Sequence, residues 1–175
     1  MKTITLPKFR QTFEYDCGAK ALQSVLVYYG IEIKEHQLIK DLKTTKEGTQ
    51  IKNIIRVSKK YDLKTESKKM TIKDLKKYIK KKIPVIIVLQ AWTKKKNVDW
   101  ENNWHDGHYV VAIGYTRNKI IFEDPSAFER TYLKHDELEK RWHDIDENSK
   151  KYFHHGIAVS GKIPKFKSKK IIHMD

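Results

Sequence analysis

The spacing of apolar residues changes character once along this chain, near Pro84, and that change sets the fold class. Before it, apolar residues recur every three to four positions. Ala21, Leu22, Val25, Leu26 and Tyr29 predict a helix over 17–29. Asp16 is placed to cap it, and Gly30 stands where a C-terminal glycine stop belongs. A short helix is expected over 35–42. Ile51, Ile54, Ile55 and Val57 mark another over 49–61. Thr71-x-x-Asp74 opens a third over 71–80, with Ile72, Leu75 and Ile79 inward. After Pro84 the pattern becomes short runs rich in β-branched residues: PVIIVLQ (84–90), HYVVAIGY (108–115), KIIFED (119–124) and HHGIAVSG (154–161). The TRN link between the second and third suits a β-hairpin. RTYL (130–133) is a further strand candidate and LKHDELEKRW (133–142) a short helix. A helical half followed by an antiparallel sheet is an α+β domain.

The chain of 175 residues is long enough to bury a core, and one domain is expected, with its core over about 8–160 and a basic, fraying tail over 162–175. No apolar run approaches the roughly 20 residues of a membrane span, and the N-terminus lacks the apolar region of a secretory signal. A single cysteine can form no internal disulfide. These features predict a cytoplasmic protein. The formal net charge is +15, but only five of the 37 basic residues are arginine and the lysines are dispersed. With no recognisable nucleic-acid motif, that reads as a solvated lysine coat and argues against a nucleic-acid partner.

The cysteine, Cys17, is either a small buried hydrophobe or a nucleophile. A nucleophile needs a helix N-terminus or cation to favour the thiolate, a base, a group to orient the base, and oxyanion donors. The sequence offers each. Cys17 opens the first helix, and Gly18 leaves room for a substrate backbone. His108 heads a strand and is a candidate base. Asp124 ends the next strand, so the hairpin brings it beside His108. Gln11 carries an amide NH₂ that can join the Cys17 N–H as an oxyanion donor. The competing use of histidine is metal binding, but His105-x-x-His108 and His154-His155 match no zinc motif. No metal and no cofactor is expected.

Gln11-x5-Cys17-Gly18-x-x-x-Leu22, a helix ending YYG, GHYVVAIGY and FEDPS, in that order, resemble the bacteriocin-processing cysteine peptidases. These double-glycine leader peptidases belong to the papain-like superfamily. The resemblance covers roughly residues 8–160. It implies a papain-like fold, with Cys17 as nucleophile, His108 as general base, Asp124 orienting the histidine and Gln11 stabilising the oxyanion. Best-known members are domains of export transporters. With no membrane span and no phosphate loop, this chain is more similar to the freestanding members, whose peptide or protein substrates the resemblance does not specify.

Before His108 lies a long polar segment with Trp92, Trp100 and Trp104. Trp92, Trp104, Gly107 and Gly18 are taken as candidate cleft residues. The expected activity is amide hydrolysis through a thioester, with acyl transfer open to the same site. The alternatives are a catalytically silent papain-like peptide-binding module and, with less support, a basic nucleic-acid-binding protein.

Overall fold

The structure, a computed structural model, describes residues 2–161, 163–169, 171 and 173–174. Lys162, Lys170, Ile172 and Asp175 of the basic tail lie outside the described residues.

Among the described residues five helices form where the sequence pattern places them: α1 (Cys17–Tyr28), α2 (Glu35–Leu42), α3 (Ile51–Lys60), α4 (Ile72–Lys80) and α5 (His135–Arg141). Helix α1 ends as expected. Gly30 takes φ +80°, and the N–H groups of Gly30 and Ile31 close back on the carbonyls of Val27 and Leu26. Helix α4 opens with a full capping box. The Thr71 hydroxyl accepts from Asp74 N–H at 3.2 Å, and the Asp74 carboxylate accepts from Thr71 N–H at 2.9 Å.

The cap expected from Asp16 does not form. Its backbone sits at φ −98°, ψ 12° instead of the extended geometry a capping side chain needs. The carboxylate turns back to accept from Thr12 N–H (3.1 Å) and Phe13 N–H (3.3 Å). The expected helix over 49–61 also starts later, because Thr49 is held outside it. Its carbonyl accepts from the Tyr109 hydroxyl at 2.8 Å, and its own hydroxyl pairs with Thr44 at 2.7 Å.

The strands are β1 (Lys2–Thr3), β2 (Lys64–Lys69), β3 (Val85–Gln90), β4 (Gly107–Tyr115), β5 (Lys119–Glu123), β6 (Thr131–Lys134), β7 (His143–Ile145), β8 (Lys151–Phe153) and β9 (His155–Ser160). One antiparallel sheet runs β2-β9-β3-β4-β5-β6, with β1 added on β4 at Tyr115 and Gly114. β7 and β8 form a separate hairpin. β3 is buried at every position, as its unbroken VIIVLQ requires. β2, KTESKK, escapes apolar patterning because it is the sheet edge, where charged side chains blunt further pairing. The β7–β8 hairpin was likewise not expected.

One hydrophobic cluster joins α1, α3 and α4 to the inner faces of β3, β4 and β9. Among its largest members are Leu22, Leu26, Ile54, Leu75, Ile86 and Trp142. The tail does not simply fray where it is described. The N–H groups of Lys165 and Phe166 reach the Tyr28 carbonyl at 3.0 and 3.3 Å, and Phe166 packs on the cluster. Among the described residues no helix is long and apolar enough to cross a membrane.

Candidate active site

Cys17 is the first residue of α1. The N–H groups of a first helical turn have no partner within the helix. The Asp16 carboxylate points backward to Thr12 and Phe13, so its side chain does not cap this helix start. Helix α1 is seated by Gly18. A Cβ there would lie 2.8 Å from Thr49 Cβ and 3.0 Å from Tyr109 Cδ2. Gly18 therefore serves close packing of α1 on Thr49 and Tyr109. It is not among the residues that line the cleft described below, where it was expected. Cys17 itself is 7% exposed and opens on a cleft of about 270 Å³.

His108 sits at the start of β4. The pair Val111 and Glu123 fixes the β4–β5 register, so Asp124, one residue on, falls opposite Val110. It is then diagonal to His108 on one face, within reach of longer side chains. His108 Nε2 meets Asp124 Oδ1 at 2.7 Å with both side chains buried. The other ring nitrogen, Nδ1, is not used by Asp124, and the Cys17 thiol is near enough to the imidazole to raise its proton affinity. Burial alone would lower the His108 pKa. Hydrogen bonds to Asp124 and Cys17, with the charges of both, outweigh it and raise the group from 6.5 to about 9. Asp124 is also buried, which would raise its pKa, but the His108 bond and charge hold it below the usual carboxylate range. Three further donors complete its coordination: Ser126 N–H at 2.9 Å to Oδ1, and Trp92 Nε1–H and the Thr131 hydroxyl, each at 3.1 Å, to Oδ2.

Gln11 is knitted to the Asp124 turn. Its N–H donates to the Pro125 carbonyl at 3.0 Å, and its Oε1 accepts from the Ser126 hydroxyl at 2.8 Å. One proton of its NH₂ goes to the Phe13 carbonyl at 3.1 Å, which leaves a second.

The cleft wall combines expected and unexpected residues. Trp104 and Gly107 line it, as does His105. Trp104 packs its ring on His143 and Phe153. His143 is buried and bonds the Asn103 carbonyl through Nε2 at 2.7 Å. Trp92 is not in this cleft, contrary to expectation. Its indole is drawn to Asp124, at the rim of a second hollow of about 150 Å³. Trp100 lies under the Arg141 guanidinium at 3.8 Å. The three tryptophans thus have three separate partners.

Sequence reasoning missed the wall contributed by the β7–β8 hairpin: Asp144, Ile145, Asp146, Glu147 and Tyr152. A signal was present, since DENS (146–149) is a run of turn-forming residues between HDI and KYF. Asp146 builds that turn by accepting from the N–H groups of Asn148 and Lys150, both at 2.9 Å. The facing wall is the loop 46–50 with Ile51 at the start of α3, and Gln50 bonds Glu147 between the two walls. Burial, with Asp146 nearby, pushes the Asp144 pKa up to about 6, against a 2.9 Å bond from Gln90.

Comparison with known proteins agrees with this architecture. The model of the peptidase C39 family matches residues 5–145. The pediocin PA-1 transport/processing ATP-binding protein PedD of Pediococcus acidilactici is 26% identical over 136 residues, 77% of this chain and 17% of that protein. The chain therefore spans about a sixth of that relative's length. Among solved structures, the peptidase domain of Streptococcus ComA, a bifunctional ABC transporter in quorum sensing, superposes with a TM-score of 0.66 at 24% identity, covering 91% of this chain and 99% of that domain. A C39-like peptidase from Bacillus anthracis gives 0.69 at 20% identity, covering 94% and 100%. A double-glycine motif protease from an AMS/PCAT transporter, in complex with its leader peptide, gives 0.67 at 20%, covering 91% and 94%. The helices and antiparallel sheet described above are the fold these domains share.

Proposed function

We propose that this chain, which belongs to the peptidase C39 family, cleaves peptide bonds through an acyl-thioester on Cys17. The observation that carries the reading is the buried 2.7 Å contact of Asp124 Oδ1 with His108 Nε2, with Cys17 at the start of α1 near enough to raise the proton affinity of that imidazole.

In this mechanism the Cys17 thiolate attacks the scissile carbonyl carbon, and the carbonyl oxygen takes up the displaced electron pair. The Cys17 N–H and the second N–H of the Gln11 amide receive that oxyanion. The C–N bond then breaks as His108 gives its Nδ1 proton to the leaving amine. A thioester remains. Neutral His108 takes a proton from water, the resulting hydroxide adds to the thioester, and collapse releases the carboxylic acid and the Cys17 thiolate. Asp124 holds the imidazole in one tautomer and orientation and stabilises its charged form throughout. An amine in place of water would make the same site an acyl transferase.

The substrate class proposed is a peptide presented to the cleft beside Trp104 and Gly107. The leader peptide bound to the AMS/PCAT relative makes Gly-Gly leader peptides the first probes to use. The test is mass spectrometry of such peptides incubated with the protein and with Cys17→Ala. Cleavage by the wild type alone, with a transient acyl adduct on Cys17, supports the reading. Failure of Cys17 to alkylate faster than a free thiol at neutral pH would overturn it.

A further inference from the structure

The proposed triad accounts for one oxygen of Asp124 and leaves the other. Oδ2 is held by the Trp92 indole N–H and the Thr131 hydroxyl, both at 3.1 Å. The tryptophan is unusual in two independent respects. Its backbone is left-handed, φ +60°, a conformation bulky side chains rarely adopt. Its side chain is also poorly buried for an aromatic, with the residue 57% exposed. Neither local preference nor burial accounts for its placement. The bond to Asp124 does.

Its position fits that account. Trp92 follows the end of β3 by two residues, and Ala91 N–H is tied to the Asp106 carbonyl at 2.9 Å. The strand end is thereby anchored beside the start of β4, where His108 lies. The indole edge bounds the second hollow together with Asp124, Thr131 and Arg141. Without the indole, Oδ2 would face that hollow with Thr131 as its remaining donor.

We infer that Trp92 is a positioning residue of the active site: its indole N–H fixes the Asp124 carboxylate so that Oδ1 stays on His108. This rests on the triad reading above. A carboxylate pinned at Oδ1 by His108 and Ser126, and at Oδ2 by Trp92 and Thr131, cannot rotate about its Cβ–Cγ bond without breaking donors on both sides. Removing one donor on Oδ2 leaves only Thr131 there. The carboxylate gains freedom, and its grip on imidazolium weakens.

Trp92→Phe tests this, because it keeps an aromatic ring and removes the N–H, and the thermal stability of the variant monitors the smaller ring. The readout is the rate of Cys17 alkylation by iodoacetamide against pH, which needs no knowledge of the peptide substrate. The expected result is a drop of about tenfold at neutral pH, the lower end of what one hydrogen bond to a charged group contributes. The acid limb of the profile should also move to higher pH, since a less firmly held Asp124 supports the thiolate–imidazolium pair less well. Thr131→Val, which removes the other donor on Oδ2, should move that limb in the same direction, and the double variant should move it further. An unchanged limb in Trp92→Phe, with wild-type thermal stability, overturns the inference. His108→Gln separates the two levels of the reading. If it leaves Cys17 alkylation unaltered, the triad itself is wrong. If it slows alkylation while Trp92→Phe does not, only the role of Trp92 is wrong.

Discussion

His108 and Asp124 touch at 2.7 Å although they are not opposite one another in the sheet; Asp124 faces Val110, and His108 is two residues earlier in β4. The contact is a diagonal one, made by side chains leaning along the strands. It depends on an intact carboxylate. Asp124→Asn keeps the shape but replaces an anion by a dipole that can present N–H to the imidazole. Peptide cleavage should fall by about 10³- to 10⁴-fold, as in the comparable hydrolase substitution. Steady-state kinetics on any cleaved peptide decides it, and a loss of less than tenfold would remove Asp124 from the mechanism.

Gln11 acts on the oxyanion and not on the thiol in the proposed reaction. Gln11→Ala should lower kcat by about 100- to 1000-fold, the usual effect of losing one such donor. Alkylation of Cys17, which forms no oxyanion, should change little. Comparable losses in both assays would mean that Gln11 serves only to tie down Ser126 and the Asp124 turn.

Gly18 sets how closely α1 approaches Thr49 and Tyr109. Gly18→Ala places a methyl 2.8 Å from Thr49 Cβ, so the helix start must shift. Overpacking of this kind costs about 1–3 kcal/mol. Urea denaturation should show the destabilisation, and Cys17 alkylation should slow because the thiol moves with the helix. Retention of wild-type values in both would refute the packing role.

The pH dependence of stability follows from His108, whose folded pKa is raised from 6.5 to about 9 despite its burial, by hydrogen bonds to Asp124 and Cys17. A group bound more tightly to its proton in the folded state contributes fully below pH 6.5 and loses that contribution as pH rises through 9. Across this window it should add a downward slope of up to about 1.4 kcal/mol per pH unit. Denaturation midpoints of the wild type and His108→Gln, compared from pH 6 to 9.5, should converge as pH rises. Parallel curves would mean that the imidazole does not carry its extra proton affinity in the folded state.

Thr71 is a purely structural control. Thr71→Ala removes the capping box of α4 and should cost about 1 kcal/mol of stability, with Cys17 reactivity unchanged. Thermal melting and alkylation together check both halves.

Local pattern alone determined much of this protein. The helical stripe of Ala21, Leu22, Val25 and Leu26, the Gly30 stop and the Thr71–Asp74 box are all written within a few residues of where they act. The same holds for β3, β4 and β5, whose β-branched runs carry their own burial. The nearness of His108 and Asp124 was legible only in part: the short hairpin link brings the strand ends together, but a one-residue register shift between Ala112 and Gly114 puts the two side chains on one face. Other features depended on contacts across the chain, which spacing does not encode. Asp16 stands where a cap belongs, yet its carboxylate is taken by Thr12 and Phe13. Gly18 looked like room for substrate, yet it packs closely on Thr49 and Tyr109, 31 and 91 residues away. β2 is a strand because β9 pairs with it, and its lysines mark the edge and give no apolar period. The three tryptophans of one segment went to Asp124, Arg141 and the cleft, according to which distant group offered a partner. Periodicity reports which face of an element is buried. What the face meets is settled only when the elements pack.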